Sequence, residues 1–309
     1  MVIVNWNGGD HILRCLDSIR NAAVDLETEI VVVDNGSTDS SVEGIRTHFS
    51  SVSVIENHAN LGFGRGAQVG IDKARGKYVG VVNPDVMLGP GSLRRLVTLL
   101  GLHPTAGWVG PKVVNTEGVV QSGPFRLYSK WQPLRYISGL APLLMFLSRL
   151  KKRSPGPESV DEPSRCERLC GACVMFRPEL LAAIGGMPTA TFMYGEEQLL
   201  GGLFKKQGYE VWYDPLACVL HEDGSAARQA WPDQERLLRI RVGLLAAMRH
   251  TLSRPDFFVH NCLFLLSTLV QSVIGLSGGG RGYKPSVAGR FLKASLVAFV
   301  RTPALPTRA

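Results

Sequence analysis

The chain has 309 residues, of which 45% are hydrophobic and 19% are charged. This composition is typical of a globular protein and excludes a disordered or fibrous one, and the length permits one large domain with an appendage or two modest domains. The charge is uneven. Residues 228–309 have twelve Lys and Arg against three Asp and Glu, a balance of +9, whereas residues 1–225 have twenty-two against twenty-three, a balance of −1.

The N-terminal part alternates short apolar runs with stretches of helical spacing. Runs of the first kind, which predict buried strands, are Val2–Val4, Glu29–Asp34, Val52–Glu56 and Tyr78–Val82. Helices are predicted after Asp10, after Asp39 or Ser40, and over Gly66–Ala74. Strands that alternate with helices form a mostly parallel sheet, so we expect a Rossmann-like, three-layer α/β/α domain.

Polar residues follow these strands at their carboxyl ends, where ligands bind in sheets of this kind. They are the loop Asn5–Asn7, then Asp34, Asn60 and Asp85. Carboxylate oxygens are the ligands that Mg²⁺ and Mn²⁺ prefer, so Asp85 is a candidate metal ligand. The alternatives are structural: Asn83-Pro84-Asp85 as a simple turn, and Asp34 as a cap of the turn that follows it.

Residues 124–165 interrupt the pattern and are predicted to be an insertion. An apolar run at 140–150 ends in three basic residues, and the Pro- and Glu-rich stretch that follows is typical of a loop. Regular structure resumes at Cys170–Phe176. The later apolar run Val211–Leu220 ends at His221, and a lone histidine is more often structural than a metal ligand.

Residues 226–309 are predicted to form a basic helical tail. Residues 237–248 have the spacing of an amphipathic helix, and residues 257–280 carry no formal charge over a length that can span a membrane. Because His260, Ser267 and Gln271 recur on one side, we favour a helix in or near the membrane interface, or packed on the domain. The mixture of basic and apolar residues favours an anionic membrane surface over nucleic acid, the alternative being a soluble appendage with a basic face.

Cysteine usage and the N-terminus both predict a cytoplasmic protein. The six cysteines form no regular framework, and Cys15, Cys218 and Cys262 lie in apolar runs, which indicates a reducing compartment. The sequence starts with a short apolar run and no basic segment, so no secretory signal is predicted. We therefore expect a cytoplasmic protein that is peripheral on the inner face of the cell membrane.

Ordered motifs across residues 2–225 resemble those of family 2, GT-A-type inverting glycosyltransferases, and most closely the bacterial rhamnosyltransferase-like branch. Four motifs resemble the nucleotide-sugar half, two resemble the acceptor half, and His221 resembles the family's closing metal-ligand histidine. The six motifs are, in order, Val4–Gly8, Val33–Asp39, Asn60–Gly64, Asn83–Val86, Gly171-Ala172 and Phe192–Glu197.

The resemblance implies an activity. A sugar, rhamnose in the nearest branch, would pass from a nucleotide-diphosphate sugar to a lipid-linked or polysaccharide acceptor in cell-envelope glycan synthesis, with Mg²⁺ or Mn²⁺ neutralising the leaving diphosphate. Asp85 and His221 would hold the metal, and Glu197, or alternatively Glu196, would be the catalytic base. Gly171 and Ala172 would lie on the acceptor side. The nucleotide-sugar ligands would be Asn5, Asn7, Asp34, Asn60, Gly62, Asn83 and Asp85.

The sequence departs from the family pattern in two places. Asn83 stands where the family often has a first aspartate, so it would contact ribose or sugar rather than metal. The stretch Gln198–Leu203 lacks the Asp and Arg that usually follow the acidic pair. This second departure leaves open a non-catalytic nucleotide-sugar-binding or scaffolding protein with a degenerate acceptor site.

Two further patterns point to other chemistries. Gly62–Gly66 is rich in glycine like a dinucleotide-binding loop, but it lacks the full G-x-G-x-x-G spacing. Cys166, Cys170 and Cys173 have the spacing of radical enzymes that bind an iron–sulfur cluster. The last two of these cysteines bracket Gly171-Ala172, which favours the acceptor motif.

Overall fold

The computed structural model describes residues 1–131, 133, 160–222, 231–276 and 285–300. Residues 134–159 of the predicted insertion lie outside the described residues. So do the start of the tail at Arg228 and the glycines at 278–280. The described strands are β1 Val2–Asn5, β2 Val31–Asp34, β3 Ser53–Glu56, β4 Val79–Val82, β5 Val86–Leu88, β6 Ala106–Val114, β7 Ser164–Cys166, β8 Cys173–Phe176 and β9 Glu210–His221.

Helices lie between and after these strands. Of the helices in the described residues, six belong to the α/β domain and three to the tail. They are α1 Gly9–Ala22, α2 Ser41–His48, α3 Phe63–Lys73, α4 Ser92–Leu102, α5 Pro178–Ala183, α6 Glu196–Lys206, α7 Asp233–Thr251, α8 Arg254–Leu276 and α9 Pro285–Val300.

One sheet contains all nine described strands, in the order β3-β2-β1-β4-β8-β6-β9-β5, with β7 paired to β9. The first four strands are parallel to one another, as the alternation predicts. The second half is mixed, which corrects the expectation of a mostly parallel sheet. β8 lies antiparallel to both β4 and β6, and β5 lies antiparallel to β9. β7 is also antiparallel to β9, whereas β6 and β9 are parallel to each other, so both strand directions occur in this half.

Helices cover both faces of the sheet, which confirms the three layers. Because side chains alternate along a strand, Ile3 and Val32 face α1, α2 and α4, whereas Val4 and Val33 face α3, α5 and α6. The first core contains the apolar stripe of α1, and the second is built around Trp108 with Phe176 and Phe204. Both cores are buried, and the polar strand ends are left at one edge.

The three tail helices pack around a third core of their own, formed mainly by Met248, Phe257, Phe264 and Phe291. Its interior is partly polar. The Arg241 guanidinium is buried, donates to Ser267 Oγ at 2.7 Å and lies 4.4 Å from the centre of the Phe264 ring. The polar side of α8 is therefore turned inward.

The opposite side of α8 is exposed and apolar. Phe258, Leu266, Leu269 and Val273 are each about half exposed or more (49–65%), at a helical spacing of eight, three and four residues. Among the described residues, Arg254–Val273 is the one helical stretch with the length and composition to cross a membrane, and a third of it is buried in the protein. The other side of α8 packs against α7 and α9.

Helix α7 meets the α/β domain through close backbone contact with the loop before α6. A Cβ atom on Gly243 would lie 2.2 Å from the Tyr194 carbonyl oxygen, and one on Gly195 would lie 2.6 Å from the Gly243 carbonyl oxygen. Gly195 also has a φ of +94°, which side chains rarely tolerate. The two glycines therefore allow the tail and the loop to touch.

We expect Gly243→Ala to destabilise the protein although alanine is the better helix former by about 1 kcal/mol, because the added methyl group collides with backbone. The melting temperature should fall by roughly several degrees. Gly289→Ala is the matched control, because a Cβ there meets nothing within 4 Å. An unchanged melting temperature for Gly243→Ala would show that the loop and α7 separate without cost.

Candidate active site

The edge of the sheet where β1, β4 and β9 end holds a cleft of about 500 Å³. Nine of the twelve predicted site residues line it, and the acidic pair faces it from the loop side. The first residues of α7 close another side. The nine predicted residues are Asn60, Gly62, Asn83, Asp85, Gly171, Ala172, Glu196, Glu197 and His221.

Asp85 and His221 meet in this cleft because their strands pair. In the antiparallel ladder between β5 and β9, Val86 is opposite His221, and the Glu222 amide donates to the Asp85 carbonyl at 3.1 Å. His221 is the last residue of β9 rather than the residue after it. Its Nε2 lies 3.4 Å from Asp85 Oδ1, and both side chains are nearly buried.

The His221 ring is oriented for ligation. Its Nδ1 lies 3.0 Å from Gln121 Oε1, so with the proton on Nδ1 the lone pair on Nε2 faces Asp85. Nε2 is buried and makes no hydrogen bond within the described residues. An oxygen ligand beside an imidazole nitrogen, with the second nitrogen held by another side chain, is a donor set that suits a divalent cation.

Asn5 and Asp34 lie behind the cleft rather than in it. Asp34 Oδ2 accepts from the amides of Gly36 and Ser37 at 3.1 and 2.9 Å, and its Oδ1 accepts from Asn5 Nδ2 at 2.9 Å. Both carboxylate oxygens are therefore used within the turn. Asn7, with a φ of +51°, accepts from the Thr38 amide at 2.8 Å and joins the first two strand-end loops. These three predicted ligands shape the loops that surround the cleft.

Asn35 occupies the lining position expected for Asp34. Its side chain donates to the Gly62 carbonyl at 3.1 Å and accepts from Asn57 Nδ2 at 2.8 Å. The sequence contains the signal for this. Side chains alternate along a strand, so Asp34, two residues after Val32, points to the α1 side. Asn35, two residues after Val33, points to the α3 side, where the cleft lies.

Asn60 and Gly62 form the loop that enters α3. Asn60 Oδ1 accepts from the Gly62 amide at 3.0 Å, and Gly62 has a φ of +84°. A Cβ on Gly62 would lie 2.2 Å from the Phe192 carbonyl oxygen, and one on Gly64 would lie 2.0 Å from the Pro188 carbonyl oxygen. The missing side chains of these glycines therefore leave room for the loop before α6. This packing accounts for the glycines, so a dinucleotide-binding loop is not needed to explain them.

Glu196 and Glu197 begin α6 but sit in different surroundings. Glu196 is 4% exposed and accepts from Thr191 Oγ1 at 3.0 Å. Burial, and secondarily the neighbouring Glu197 carboxylate, raises the pKa of Glu196 to about 8. Glu197 is half-buried and lies against Gly171, where a Cβ would stand 2.9 Å from its Oε1. The absence of a side chain at Gly171 makes room for the Glu197 carboxylate.

The tail contributes residues that the sequence patterns did not assign to the site. Arg236 and Ile240, one helical turn apart on α7, line the cleft together with Trp6 and Tyr194. Trp231, just before α7, stacks on Trp6 with ring centres 5.8 Å apart. A helix that follows the α/β domain in sequence thus forms one wall of its cleft.

The cysteines do not form a cluster site. In the described part of the chain none of the six is in a disulfide bond. Burial raises the pKa of Cys166 and of Cys173 to about 12. Across the described ranges, no three His, Cys, Asp or Glu side chains converge as a metal-binding group. The Asp85–His221 pair would therefore leave the remaining positions of a cation to phosphate and water.

The sequence is similar to characterised sugar transferases. It is 30% identical over 241 residues to the N-acetylglucosaminyl-diphospho-decaprenol L-rhamnosyltransferase of Mycobacterium tuberculosis (strain ATCC 25618 / H37Rv), covering 72% of this chain and 75% of that protein. It is 27% identical over 204 residues to the low-salt glycan biosynthesis hexosyltransferase Agl10 of Haloferax volcanii, covering 64% and 58%.

The fold is shared with solved glycosyltransferases. The mannosyltransferase PcManGT of Pyrobaculum calidifontis, solved with GDP-Man and Mn²⁺, superposes with a TM-score of 0.56 at 18% identity, covering 96% of this chain and 86% of that one. The S. aureus TarS 1-349 structure with UDP-GlcNAc superposes with a TM-score of 0.52 at 13% identity, covering 96% and 80%. These likenesses confirm the GT-A-type fold predicted from the sequence.

Residues 1–160 match the protein family described as "Glycosyl transferase family 2". This match covers half of the chain, and the rhamnosyltransferase relative extends the similarity to nearly three quarters of it. The chain therefore belongs to glycosyltransferase family 2, as its ordered strand-end motifs predict.

Proposed function

We propose that this glycosyltransferase moves a hexose, with rhamnose the favoured sugar, from a nucleotide-diphosphate donor to a lipid-linked acceptor in cell-envelope glycan synthesis, with inversion at the anomeric carbon. The observation that carries the proposal is the cleft itself, in which the Asp85–His221 pair and the Glu197 carboxylate line the same space. The similarity to the mycobacterial N-acetylglucosaminyl-diphospho-decaprenol L-rhamnosyltransferase supports the sugar and the lipid-linked acceptor.

Asp85 and His221 would hold one divalent cation, Mg²⁺ or Mn²⁺. Their fit rests on the Nε2 atom that is buried without a hydrogen bond beside a carboxylate oxygen, and on a ring fixed by Gln121. The structurally similar mannosyltransferase was solved with Mn²⁺, which supports the same assignment. The bound cation would neutralise the negative charge that develops on the leaving diphosphate.

The donor would bind along the strand ends. Asn60, Gly62 and Asn83 line the cleft and are suited to contact the nucleotide and sugar, whereas Asn5, Asn7 and Asp34 would act by holding the surrounding loops in shape. Asn35 takes the lining place beside Gly62. Arg236 on α7 adds a positive charge at the cleft, which favours a diphosphate.

Glu197 would act as the catalytic base. In an inverting transfer the acceptor hydroxyl oxygen bonds to the anomeric carbon while the bond from that carbon to the diphosphate oxygen breaks, and the hydroxyl proton passes to the base. Glu197 is partly exposed beside Gly171-Ala172, so a hydroxyl can reach it. Glu196 is buried and bonded to Thr191, which suits a structural role. A carboxylate so placed favours an active enzyme over a non-catalytic binding protein.

The tail would hold the enzyme on the cytoplasmic face of a membrane. The exposed apolar stripe of α8, Phe258 to Val273, supplies area that can insert between lipids, and the +9 balance of residues 228–309 attracts anionic headgroups. The six cysteines form no regular framework in the sequence, which favours a reducing compartment.

Asp85→Ala should abolish the metal-dependent part of donor binding, because the mutant loses the carboxylate oxygen that faces His221. Isothermal titration with a nucleotide-diphosphate sugar, with Mn²⁺ or with EDTA, measures this directly. Asp17→Ala, at an exposed position of α1, is the matched control. An Asp85→Ala variant that keeps the wild-type difference in donor affinity between Mn²⁺ and EDTA would exclude this metal site.

Glu197→Gln should keep donor affinity while transfer falls by roughly a hundred- to ten-thousand-fold, the usual contribution of a general base. The same substitution at Glu196 is the control, since an amide oxygen there still accepts the Thr191 hydroxyl. Single-turnover transfer measures both variants. A nearly normal Glu197→Gln with an inactive Glu196→Gln would move the role to Glu196, and near-normal rates in both would remove the pair from the mechanism.

Phe258→Glu with Leu269→Glu should reduce flotation of the intact protein with anionic vesicles by roughly half or more, because two carboxylates replace inserting side chains. The control carries the same two changes at Val24 and Leu102, which are exposed apolar residues of the α/β domain. Equal recovery of both double variants with vesicles would contradict membrane docking through α8.

A further inference from the structure

A second cavity of about 540 Å³ lies beside the cleft, between the loop before α6 and two helices of the tail. The loop contributes residues 190–193, α7 contributes one face, and α9 the other side. Met193 borders both cavities. On α7, Arg236 and Ile240 face the cleft, whereas Glu235 and Arg239 face this second cavity, so a single helix separates the two spaces.

The rim of this groove is positively charged. Arg239, Arg290 and Lys293 line it together with one carboxylate, Glu235, which gives a net charge of +2. Glu235 pairs with both arginines: Arg239 Nε lies 3.2 Å from Oε1, and Arg290 holds both carboxylate oxygens. The Arg239 guanidinium is further held 4.2 Å from the centre of the Trp231 ring. Fixed guanidinium groups beside an exposed lysine are well suited to bind phosphate oxygens.

The floor of the groove is apolar. Leu238, Val242 and Ala246 follow one another along α7, and Ala294 and Val297 face them from α9. Val297 is 46% exposed, so the floor opens to the surface at one end. A ligand that fits this shape carries an anion at one end and an apolar chain at the other.

We propose that the groove binds the diphosphate and the first isoprene units of the acceptor lipid, so that the sugar attached to the diphosphate extends past Met193 to Glu197. The proposal rests on the proposed function and adds the place where the acceptor is recognised. A doubly charged diphosphate diester matches the +2 rim, and an isoprenoid chain matches the apolar floor. Nucleotide donors lack such a chain, and the strand-end residues that suit them lie in the other cavity.

The test is a titration of the full chain with farnesyl diphosphate as the probe, in EDTA so that no cation in the cleft holds the diphosphate. We expect farnesyl diphosphate to bind more tightly than either inorganic diphosphate or farnesol. Lys293→Glu should weaken it by about tenfold or more, the loss typical of one charged contact. Ala294→Phe, which fills the floor, should weaken farnesyl diphosphate but leave inorganic diphosphate unchanged.

Arg254→Glu is the matched control, with the same charge reversal at an exposed position of the tail outside the groove. An equal loss in Arg254→Glu and Lys293→Glu would overturn the proposal, because it would show a general attraction to the basic tail. Unchanged affinity in Lys293→Glu and Ala294→Phe would also overturn it, as would loss of probe binding in Asp85→Ala, which would put the probe in the cleft.

Steady-state transfer to a prenyl-diphosphate-linked N-acetylglucosamine separates this proposal from the proposed function. In Lys293→Glu the KM for this acceptor should rise by about tenfold while the KM for donor stays constant. Transfer by the wild type with an unchanged acceptor KM in the variant would reject the groove and keep the function. Failure of the wild type to transfer to every lipid-linked acceptor would reject the proposed function. The titration with farnesyl diphosphate would then be the test of whether the groove binds a prenyl diphosphate.

Discussion

The pairing of β5 with β9 is the contact on which the candidate site depends. It joins residues about 135 positions apart in the sequence and sets Asp85 beside His221 through the register of a short antiparallel ladder. Both residues stand at the end of their strands, where the backbone is fixed by sheet hydrogen bonds and the side chains face the cleft. On such rigid elements the proposed metal-binding pair would need little reorganisation when a diphosphate arrives.

A second constraint is steric, and it connects the α/β domain to the tail. The carbonyls of the loop before α6 approach α3 and α7 so closely that Gly62, Gly195 and Gly243 have no room for a Cβ. The loop leads directly into Glu196 and Glu197 at the start of α6, so its position determines where the proposed base lies. Because α7 is held against the same loop, the cleft and the proposed acceptor groove lie on two sides of one helix.

The sequence predicted the parts of the fold that follow from local periodicity. The parallel strands β1 to β4 and their helices match the apolar runs, and α7 to α9 match the helical spacing of the tail. It did not predict the mixed second half of the sheet, because strand direction there depends on which strands pair, and pairing over long sequence distances leaves no local pattern.

The structure brings together in one cleft three residues that the sequence singled out, Asp85 and His221 at strand ends and Glu197 at the start of α6. The sequence reading chose Asp34 as the residue after β2 that lines the cleft, but the lining residue is Asn35. Side chains alternate along β2, so Asp34 is turned toward α1 and Asn35 toward the cleft. The sequence patterns did not identify Arg236, Trp231 or the groove that Arg290 and Lys293 line. Their positions depend on the packing of helices that begin more than thirty residues beyond the acidic pair.

The central claim is that a cation held by Asp85 and His221 carries the diphosphate of the donor in the cleft that also contains Glu197. Anomalous diffraction from crystals grown with Mn²⁺ and a nucleotide diphosphate measures this directly. The account predicts one manganese peak within ligand distance of an Asp85 carboxylate oxygen and His221 Nε2, with diphosphate oxygens completing its coordination. A bound nucleotide whose manganese peak lies elsewhere, with Asp85 and His221 still in direct contact, would contradict it.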